Sequence, residues 1–270
     1  MDKALIIDGN AVIYKAYFAS QANAIKQNKS DDEITKEINK TIRFVSNICN
    51  SLLTKKEYQY ATVVFDSSRK TFRQEKFSEY KANRSPMPTP LLNVLPPIKE
   101  VLWNLGFVVV NAPKCYEGDD VICTLAKIFN DNGIQAEVFS TDKDLLQLVS
   151  PNTTVTLFRA KGEDPKQYNY EDFFNLTKGL MPYQIPQLKA IAGDASDNYS
   201  GLPGVGDKTA RDLLSKYSSI ENIYENLDSL NPKLREKFAT HKELLFLFLE
   251  LATTVSNVDI SKDINKYKRR

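Results

Sequence analysis

The sequence opens on the run ALIID at positions 4–8, in which four apolar residues are followed directly by an acid. Short apolar runs rich in β-formers return four more times, at positions 61–65, 107–110, 136–139 and 155–158. Runs of this length and composition are typical of strands that are covered on both faces. Because longer helical patterns separate them, we predict an α/β fold with a mostly parallel sheet flanked by helices.

Helical patterns occupy the stretches between these runs. One covers about residues 31–53 and begins with a capping-box pattern of Ser30 and Glu33. Two others cover about 91–105 and 119–132. After about Gly179 the strand pattern ends, and short helices joined by Gly and Pro turns follow. We therefore expect an α/β core over residues 1–180 and a helical module over 181–270.

Composition excludes several classes of protein and of metal site. The chain is 42% hydrophobic, carries a net charge of +2, and has no apolar run near the ~20 residues that span a bilayer. With no signal-peptide pattern at its start, we expect it in the cytoplasm. The three cysteines lack paired spacing and there is a single histidine, so a bound metal would need oxygen ligands. Such ligands favour Mg²⁺, Mn²⁺ or Ca²⁺ over zinc.

Acidic residues follow the predicted strands where each strand ends. The carboxyl ends of parallel strands meet at one edge of a sheet, which is where ligands bind in open α/β folds. Carboxylates held together there repel unless cations neutralise them, and a pair of Mg²⁺ ions can promote phosphodiester hydrolysis. A single acid at such a place fits a turn or an N-cap equally well. The nine acids that together favour a metal site are Asp8, Asp66, Glu117, Asp119, Asp120, Asp142, Asp144, Asp194 and Asp197.

A basic stretch follows Asp66 and ends at Arg84. Aromatic residues are interleaved with the cations, a composition that favours nucleic acid as the partner. A cation in this stretch, beside Asp66, can hold the scissile phosphate. The alternative is a solvated amphipathic helix, and the basic tail at 266–270 is read as a solvated face. The six basic residues of the stretch are Arg69, Lys70, Arg73, Lys76, Lys81 and Arg84.

The run GLPGVGDKT at positions 201–209 superficially suggests a phosphate loop. Asp207 separates Gly206 from Lys208, however, and no strand precedes the run, so the P-loop pattern is not met. The run fits better as the turn of a helix-hairpin-helix, where backbone N–H groups at a helix N-terminus bind a DNA phosphate. A plain Gly-rich connector between helices stays open as the alternative.

Taken together, the motifs resemble the bacterial 5′–3′ exonuclease or flap endonuclease family, which also forms the N-terminal domain of DNA polymerase I. The resemblance runs from about Lys3 to at least Tyr224. Three positions depart from the usual pattern without removing an acid: Gly118, Thr141 and Ser200 stand where Ala, Gly and Pro are usual. The motifs are LIIDGN at 5–10, VFD at 64–66, TFR at 71–73, EYKANR at 79–84, YEGDD at 116–120, DKDLLQL at 142–148 and GDASDN at 193–198.

The resemblance implies a PIN-like α/β core with a helical arch at about residues 67–95, followed by a helix-hairpin-helix module that also binds K⁺. It implies that Lys81 and Arg84 contact the scissile phosphate, that Tyr80 stacks on a base, and that Arg73 contacts DNA. The first metal site would use Asp66, Glu117, Asp119 and Asp120, with Asp8 close by, and the second would use Asp142, Asp144, Asp194 and Asp197. The hairpin residues that would bind the DNA backbone are Gly204, Val205, Gly206, Lys208 and Thr209.

The implied reaction is hydrolysis of DNA near a 5′ end, flap or branch with two Mg²⁺ or Mn²⁺ ions, leaving a 5′-phosphate. The implied role is primer removal and repair at the bacterial nucleoid, by a monomer linked functionally to a DNA polymerase and a ligase. Because no polymerase segment follows Arg270, we expect a stand-alone nuclease. Two alternatives stay open: a non-catalytic protein that binds branched DNA, and a PIN-type ribonuclease.

Overall fold

The computed structural model describes residues 2–21, 31–68, 70–159 and 163–270. Its centre is a six-stranded sheet with the order β3-β2-β1-β4-β5-β6. Five strands run parallel, and the last pairs antiparallel with β5. The strands are β1 (Lys3–Asp8), β2 (Tyr60–Phe65), β3 (Val108–Asn111), β4 (Gln135–Ser140), β5 (Thr153–Leu157) and β6 (Lys166–Tyr168). The predicted α/β fold is confirmed; β6 was not predicted because its three residues, KQY, are mostly polar.

The helices of the first part alternate with these strands. The three helices predicted there are confirmed with ends within two residues of the expected ones. Ser30 of the predicted capping box and Arg69 of the basic stretch lie outside the described residues. The helices are α1 (Gly9–Gln21), α2 (Asp31–Lys55), α3 (Phe72–Lys76), α4 (Thr89–Asn104) and α5 (Gly118–Asp131).

The part after β6 is helical, as predicted, and its described residues add no strand to the sheet. Three short 3₁₀ helices, at Lys143–Leu148, Leu227–Ser229 and Ile264–Tyr267, supplement the α-helices. No helix that the structure describes is both long and apolar enough to span a membrane. The helices are α6 (Phe173–Leu176), α7 (Gln184–Ala192), α8 (Asp207–Tyr217), α9 (Ile220–Glu225), α10 (Pro232–Thr240) and α11 (Lys242–Ala252).

Hydrophobic cores lie on both faces of the sheet. Side chains alternate along β1, so that Leu5 packs with α1, α2 and α4 on one face, and Ile6 packs with α5 on the other. The α5 face also takes in apolar residues of the C-terminal helices, including Leu214 and Phe248. The helical C-terminal part therefore shares a continuous core with one face of the sheet.

The site is positioned by the point at which the strand order reverses. β1 lies between β2 and β4, and the chain connections lead away from it in opposite directions. A crevice forms at such a point beyond the carboxyl ends of the strands, because the connecting loops separate there. Asp8 ends β1, and Ser140 ends β4 beside it. The acids that follow these strands consequently line the crevice.

The segment predicted as a helical arch, at about residues 67–95, is helical only in part, which corrects the expectation. Its described residues form the five-residue α3, turns at 78–83, irregular chain at 84–88, and the start of α4. Lys81 has a φ of 55°, which a right-handed helix does not allow. The run SPMPTP at 85–90 adds prolines, which disfavour helical backbone in the residues before them.

Candidate metal and nucleic-acid site

Asp8 is held at the end of β1 by hydrogen bonds to both carboxylate oxygens. The backbone N–H of Ala11, in the first turn of α1, donates to Oδ1 at 2.9 Å. The Ser140 hydroxyl donates to Oδ2 at 2.6 Å and itself accepts the backbone N–H of Asp142 at 2.9 Å. Ser140 thus connects Asp8 to Asp142. Ser140 was not among the predicted site residues, although a polar residue at the carboxyl end of a buried strand was a usable signal.

Asp66, which follows β2, is oriented from two sides. The Asn10 amide donates to its Oδ2, and the backbone N–H of Gly118 donates to its Oδ1, both at 2.5 Å. A Cβ on Gly118 would lie 3.1 Å from Oδ1, so the absence of a side chain there lets α5 approach the carboxylate closely. Asn10 was also missed as a site residue, although it stands within the opening motif two positions after Asp8.

Four acids, which we call the edge acids, have no salt bridge to a cation among the residues that the structure describes: Asp8, Asp66, Asp119 and Asp142. Burial, and to a smaller extent the charges of Asp66 and Asp142, raises the pKa of Asp8 to about 6. Burial followed by the charge of Asp142 raises the pKa of Asp119 well above its usual value. Asp8 and Asp119 are therefore desolvated members of a cluster of negative charges.

Three further acids, which we call the loop acids, are Asp144, Asp194 and Asp197. Each offers an oxygen, and these three oxygens lie within 4.8 Å of one another. Asp144 stands in the 3₁₀ helix after β4, whereas Asp194 and Asp197 lie in the loop after α7. That loop is closed by Gly193 and Gly201, since a Cβ on Gly201, at a φ of +65°, would overlap the backbone of Gly193.

The loop acids are paired with cations from two segments. Lys189 of α7 forms ion pairs with both Asp144 and Asp194, and Arg84 pairs with Asp197 at 2.6 Å. Burial alone would raise the pKa of Asp194, but the bonds from Lys189 and Ser196 outweigh it and lower the pKa to about 2. Burial and the charge of Asp142 raise the pKa of Asp144 to about 7 despite the lysine.

Lys189 was not among the predicted site residues. Its only signal was its position, five residues before Asp194 at the end of a short helix. An isolated lysine at such a position is usually solvated, so the spacing alone does not separate this residue from the other cations of the helical part.

Lys81 and Arg84 lie at the acidic crevice, because the turn that carries them rests on the loop acids. The Lys81 ammonium contacts Glu117 Oε2 at 2.8 Å, and its backbone N–H donates to the carbonyl of Asp197 at 2.9 Å. Arg84 Nε donates to the carbonyl of Ser196 at 3.1 Å. The structure thus brings the predicted cations of the basic stretch and the predicted acids into one place.

Asp120 and Arg73 correct two sequence predictions. Asp120 was expected to bind metal, but it is 0% exposed, and both its oxygens accept from the Arg73 guanidinium at 2.8 Å. Backbone N–H groups of Glu117 and Val255 donate to the same oxygens at 3.1 and 3.0 Å. Arg73 was expected to contact DNA, yet it is 2% exposed and also donates to the carbonyl of Leu251. The two residues form an ion pair inside the protein.

Tyr80 is a third correction. It was expected to stack on a base, whereas its ring belongs to the hydrophobic core and is 2% exposed. Its hydroxyl donates to Glu117 Oε2 at 3.2 Å. In this conformation Tyr80 supports the turn that carries Lys81, and its ring has no face free for a base.

The Gly-rich run forms the turn before α8, as its spacing predicted. Gly204 has a φ of +67°, Val205 is buried, and Gly206 precedes α8 without a side-chain cap. Lys208 and Thr209 lie in the first turn of the helix, where backbone N–H groups are left to bind an anion. The ammonium of Lys237 from α10 lies beside Gly204, 2.8 Å from where a Cβ would be. Lys237 was not among the predicted site residues.

Comparison with known proteins assigns the chain to a family. A family model described as the 5′–3′ exonuclease N-terminal resolvase-like domain matches residues 3–177, and one described as the 5′–3′ exonuclease C-terminal SAM fold matches residues 180–270. The chain belongs to the 5′–3′ exonuclease family. The resemblance inferred from the motifs is thereby confirmed.

Relatives of this nuclease family occur both as single proteins and as parts of longer ones. The chain is 36% identical to a 5′–3′ exonuclease of Mycoplasma pneumoniae over 98% of its own length and 89% of that protein. It is 37% identical to DNA polymerase I of Lactococcus lactis, over 97% of its length but only 30% of that polymerase. A bacteriophage T5 flap endonuclease, solved with DNA and metal ions, has the same fold at 20% identity, with a TM-score of 0.68 over 93% of this chain and 88% of that one.

Proposed function

We propose that this protein is a divalent-metal-dependent nuclease that hydrolyses DNA phosphodiesters at 5′ ends and 5′ flaps. The observation that carries the proposal is the meeting of edge acids, loop acids and two cations of the basic stretch in one crevice. Acids alone would repel a nucleic acid, and cations alone would bind it without cutting. Family membership supports the choice of a nuclease over the non-catalytic DNA binder.

The donor set fits a hard divalent cation. All candidate ligands are carboxylate oxygens, and three of them lie within 4.8 Å of one another. The raised pKa values of Asp8 and Asp119 arise because burial and neighbouring acids disfavour their charged forms, a strain that a cation would relieve. We propose that the edge acids with Glu117 hold one Mg²⁺ or Mn²⁺ and the loop acids a second; Asp120 is left out of this set. Bound ions would supply an activated water and stabilise the leaving oxygen.

The protein's own side chains perform the remaining tasks. Asn10 and Gly118 fix the orientation of Asp66, while Ser140 fixes that of Asp8. Lys81 and Arg84, now paired with Glu117 and Asp197, are placed to hold the scissile phosphate once a cation replaces them at the acids. The product would carry a 5′-phosphate, as expected for nucleases of this family.

The helical part is proposed to grip the DNA backbone away from the cut. The N-terminus of α8 offers unpaired backbone N–H groups, and Lys208 and Lys237 add positive charge on either side of the turn. We propose K⁺ binding at the same turn. The boundary between core and helical module is proposed near residue 180, in keeping with the matches to 3–177 and 180–270.

The biological setting is also proposed. Removal of primers and repair of flaps suits a nuclease whose relatives include DNA polymerase I, and we propose a monomer that works with a polymerase and a ligase in the bacterial cytoplasm. The reaction is tested with a labelled 5′-flap duplex incubated with Mg²⁺ and then with excess EDTA. We expect cleavage at the flap junction only with Mg²⁺; binding without any Mg²⁺-dependent product would overturn the nuclease proposal.

The ribonuclease alternative needs a separate comparison. Flaps made of RNA, of DNA and of both, annealed to the same template, are cut in parallel by the same enzyme. We expect DNA flaps to be cut at least as fast as RNA flaps, because the relatives of this chain include DNA polymerase I. Cutting confined to single-stranded RNA would contradict the proposal.

A further inference from the structure

Lys189 lies among the loop acids although the proposed reaction gives it no task there. Its ammonium forms ion pairs with Asp144 and Asp194, two of the three acids whose oxygens lie within 4.8 Å of one another. Its side chain is 21% exposed, so the pair is largely shielded from water. A lysine in this position occupies oxygens that a divalent cation would need.

The backbone that carries Lys189 is fixed. Its neighbours Ala190 and Ile191 are fully buried in the core, and Gln187, two residues earlier, donates from its side chain to the carbonyl of Tyr183. The side chain of lysine, with four rotatable bonds and a compact charge, can move without the helix moving. A cation that takes the loop acids therefore has to displace the ammonium rather than α7.

We propose that Lys189 is an internal counter-cation of the loop acids, which holds Asp144 and Asp194 together until a divalent cation displaces it. The inference rests on the proposed metal site and assigns this chain's own residue a role in it. Two positive charges a few ångströms apart repel, so the ammonium lowers the affinity of the loop acids for the incoming ion. Lys189 is thus a positioning residue, since it acts through the carboxylates and contacts no substrate.

The first test measures Mn²⁺ binding without DNA, by electron paramagnetic resonance of the free ion. In Lys189→Met we expect the weaker Mn²⁺ dissociation constant to fall on the order of tenfold, because a competing cation has been removed. The matched control is Lys127→Met, which breaks an exposed pair with Asp131 on α5 and leaves the Mn²⁺ constants unchanged. An unchanged or weaker second constant in Lys189→Met would overturn the inference.

The Lys189→Arg variant separates the effect of the charge at position 189 from the effect of the side chain's shape. This variant keeps a cation at the acids, so its weaker Mn²⁺ constant stays within about twofold of wild type. In EDTA, Lys189→Met unfolds at a lower temperature than wild type, and Mn²⁺ raises its Tm by more than it raises that of wild type. Tight second-site binding in Lys189→Arg, equal to that of Lys189→Met, would contradict a role for the charge.

A measurement on the wild-type protein keeps the inference testable if Lys189→Met does not fold. Reductive methylation of lysines, read by mass spectrometry of the peptides, reports how free each ammonium is. We expect Lys189 to react several-fold faster with Mn²⁺ than with EDTA, while Lys127 reacts equally in both. Equal reactivity of Lys189 in the two conditions would show that it is not displaced, and would overturn the inference.

The outcomes also separate this inference from the proposed function. If wild type binds no Mn²⁺, both the metal site and the role of Lys189 are wrong. If the Mn²⁺ constants and the methylation change as expected but no flap is cut with Mg²⁺, the role of Lys189 stands and only the nuclease proposal falls.

Discussion

The edge acids and the loop acids line one crevice but are neutralised in different ways. Among the described residues, no salt bridge reaches any of the four edge acids, whereas Lys189 and Arg84 together pair with all three loop acids. Asp8 ends β1, Asp66 and Asp142 follow β2 and β4, and Asp119 lies in the first turn of α5, and none of these four places brings a described cation into a salt bridge. The loop acids face helices and turns, which can carry lysine and arginine. The difference indicates that the edge acids depend more strongly on a bound metal cation for their neutralisation than the loop acids do.

Asp120 is an acid that the protein's own groups neutralise completely. It belongs to the same stretch of acids after β3, yet Arg73 and two backbone N–H groups saturate its oxygens. A carboxylate with every oxygen occupied stabilises the fold and has nothing left to give to a metal ion. A carboxylate that the protein's own groups neutralise therefore takes no part in binding a metal ion. A carboxylate without such partners is available to one.

The largest effect is expected at an edge acid. In Asp142→Asn, flap cleavage with Mg²⁺ should fall on the order of 10³-fold or more, which is about 4 kcal/mol of transition-state stabilisation. The amide keeps an acceptor for the backbone N–H of Asp144, so local structure is retained. Single-turnover cleavage of the 5′-flap duplex measures the loss, and binding of the flap in Ca²⁺ should stay near that of wild type. Near-normal cleavage would remove Asp142 from the metal site.

Arg73→Met probes the fully compensated acid. It leaves Asp120 charged and without its partner in the core, which should cost about 3–5 kcal/mol of unfolding free energy. Urea unfolding at neutral pH measures the change, with Lys127→Met as a surface control that costs less than about 0.5 kcal/mol. If Arg73→Met instead weakened DNA binding at unchanged stability, Arg73 would be a DNA contact rather than a partner of Asp120 inside the fold.

Lys81→Ala removes a cation that touches the acids of the crevice. Cleavage should slow by about 10²-fold, because a charge that holds the scissile phosphate is lost. Mn²⁺ affinity should remain close to normal or increase slightly, since Glu117 is released from its partner. Rapid-quench cleavage and Mn²⁺ titration together check this expectation. If metal binding were lost together with cleavage, Lys81 would instead have a structural role.

Metal-free stability should distinguish the two sets directly. In EDTA, Asp142→Asn is expected to raise the free energy of unfolding by about 1 kcal/mol, because a repelling charge is removed. Asp194→Asn is expected to lower it by a similar amount, because Lys189 loses a partner. Urea unfolding in EDTA measures both variants. Changes of the same sign in the two variants would break the contrast between edge and loop acids.

The last effect concerns pH. The pKa values of Asp8 (about 6) and Asp144 (about 7) in the folded protein lie above the ordinary 3.8. At pH values between 3.8 and these raised pKa values, the folded state therefore binds more protons than the unfolded state does. Stability from these groups is therefore gained as pH falls through the raised pKa and lost as pH rises. In EDTA, Tm should rise by a few degrees from about pH 8 to about pH 5. Asp142→Asn should show a smaller rise, and an equal rise would contradict the assigned cause.

Much of the architecture was predictable because it depends on local pattern. The parallel sheet follows from short apolar runs between helical stretches, and Asp8, Asp66 and Asp142 reach one edge because each follows a strand. Nothing local predicts the pair of Asp120 and Arg73, since Arg73 is completed by the carbonyl of Leu251, which is 178 positions away. Asp119 is the neighbour of Asp120 in the sequence, and no local pattern distinguishes the two, yet Asp119 lies in the crevice.

The class of fold, the family and the residues among which a metal site must be sought follow from the amino-acid sequence, because strand periodicity and motif order are properties of the chain. Which acids are neutralised by the protein's own cations depends on the packing of the folded chain. Whether a carboxylate meets Lys189, Arg73 or no cation depends on how α7, α3 and the C-terminal helices pack against the sheet. Electrostatic partners are chosen by proximity in space, and proximity between distant segments is set by packing rather than by spacing along the chain.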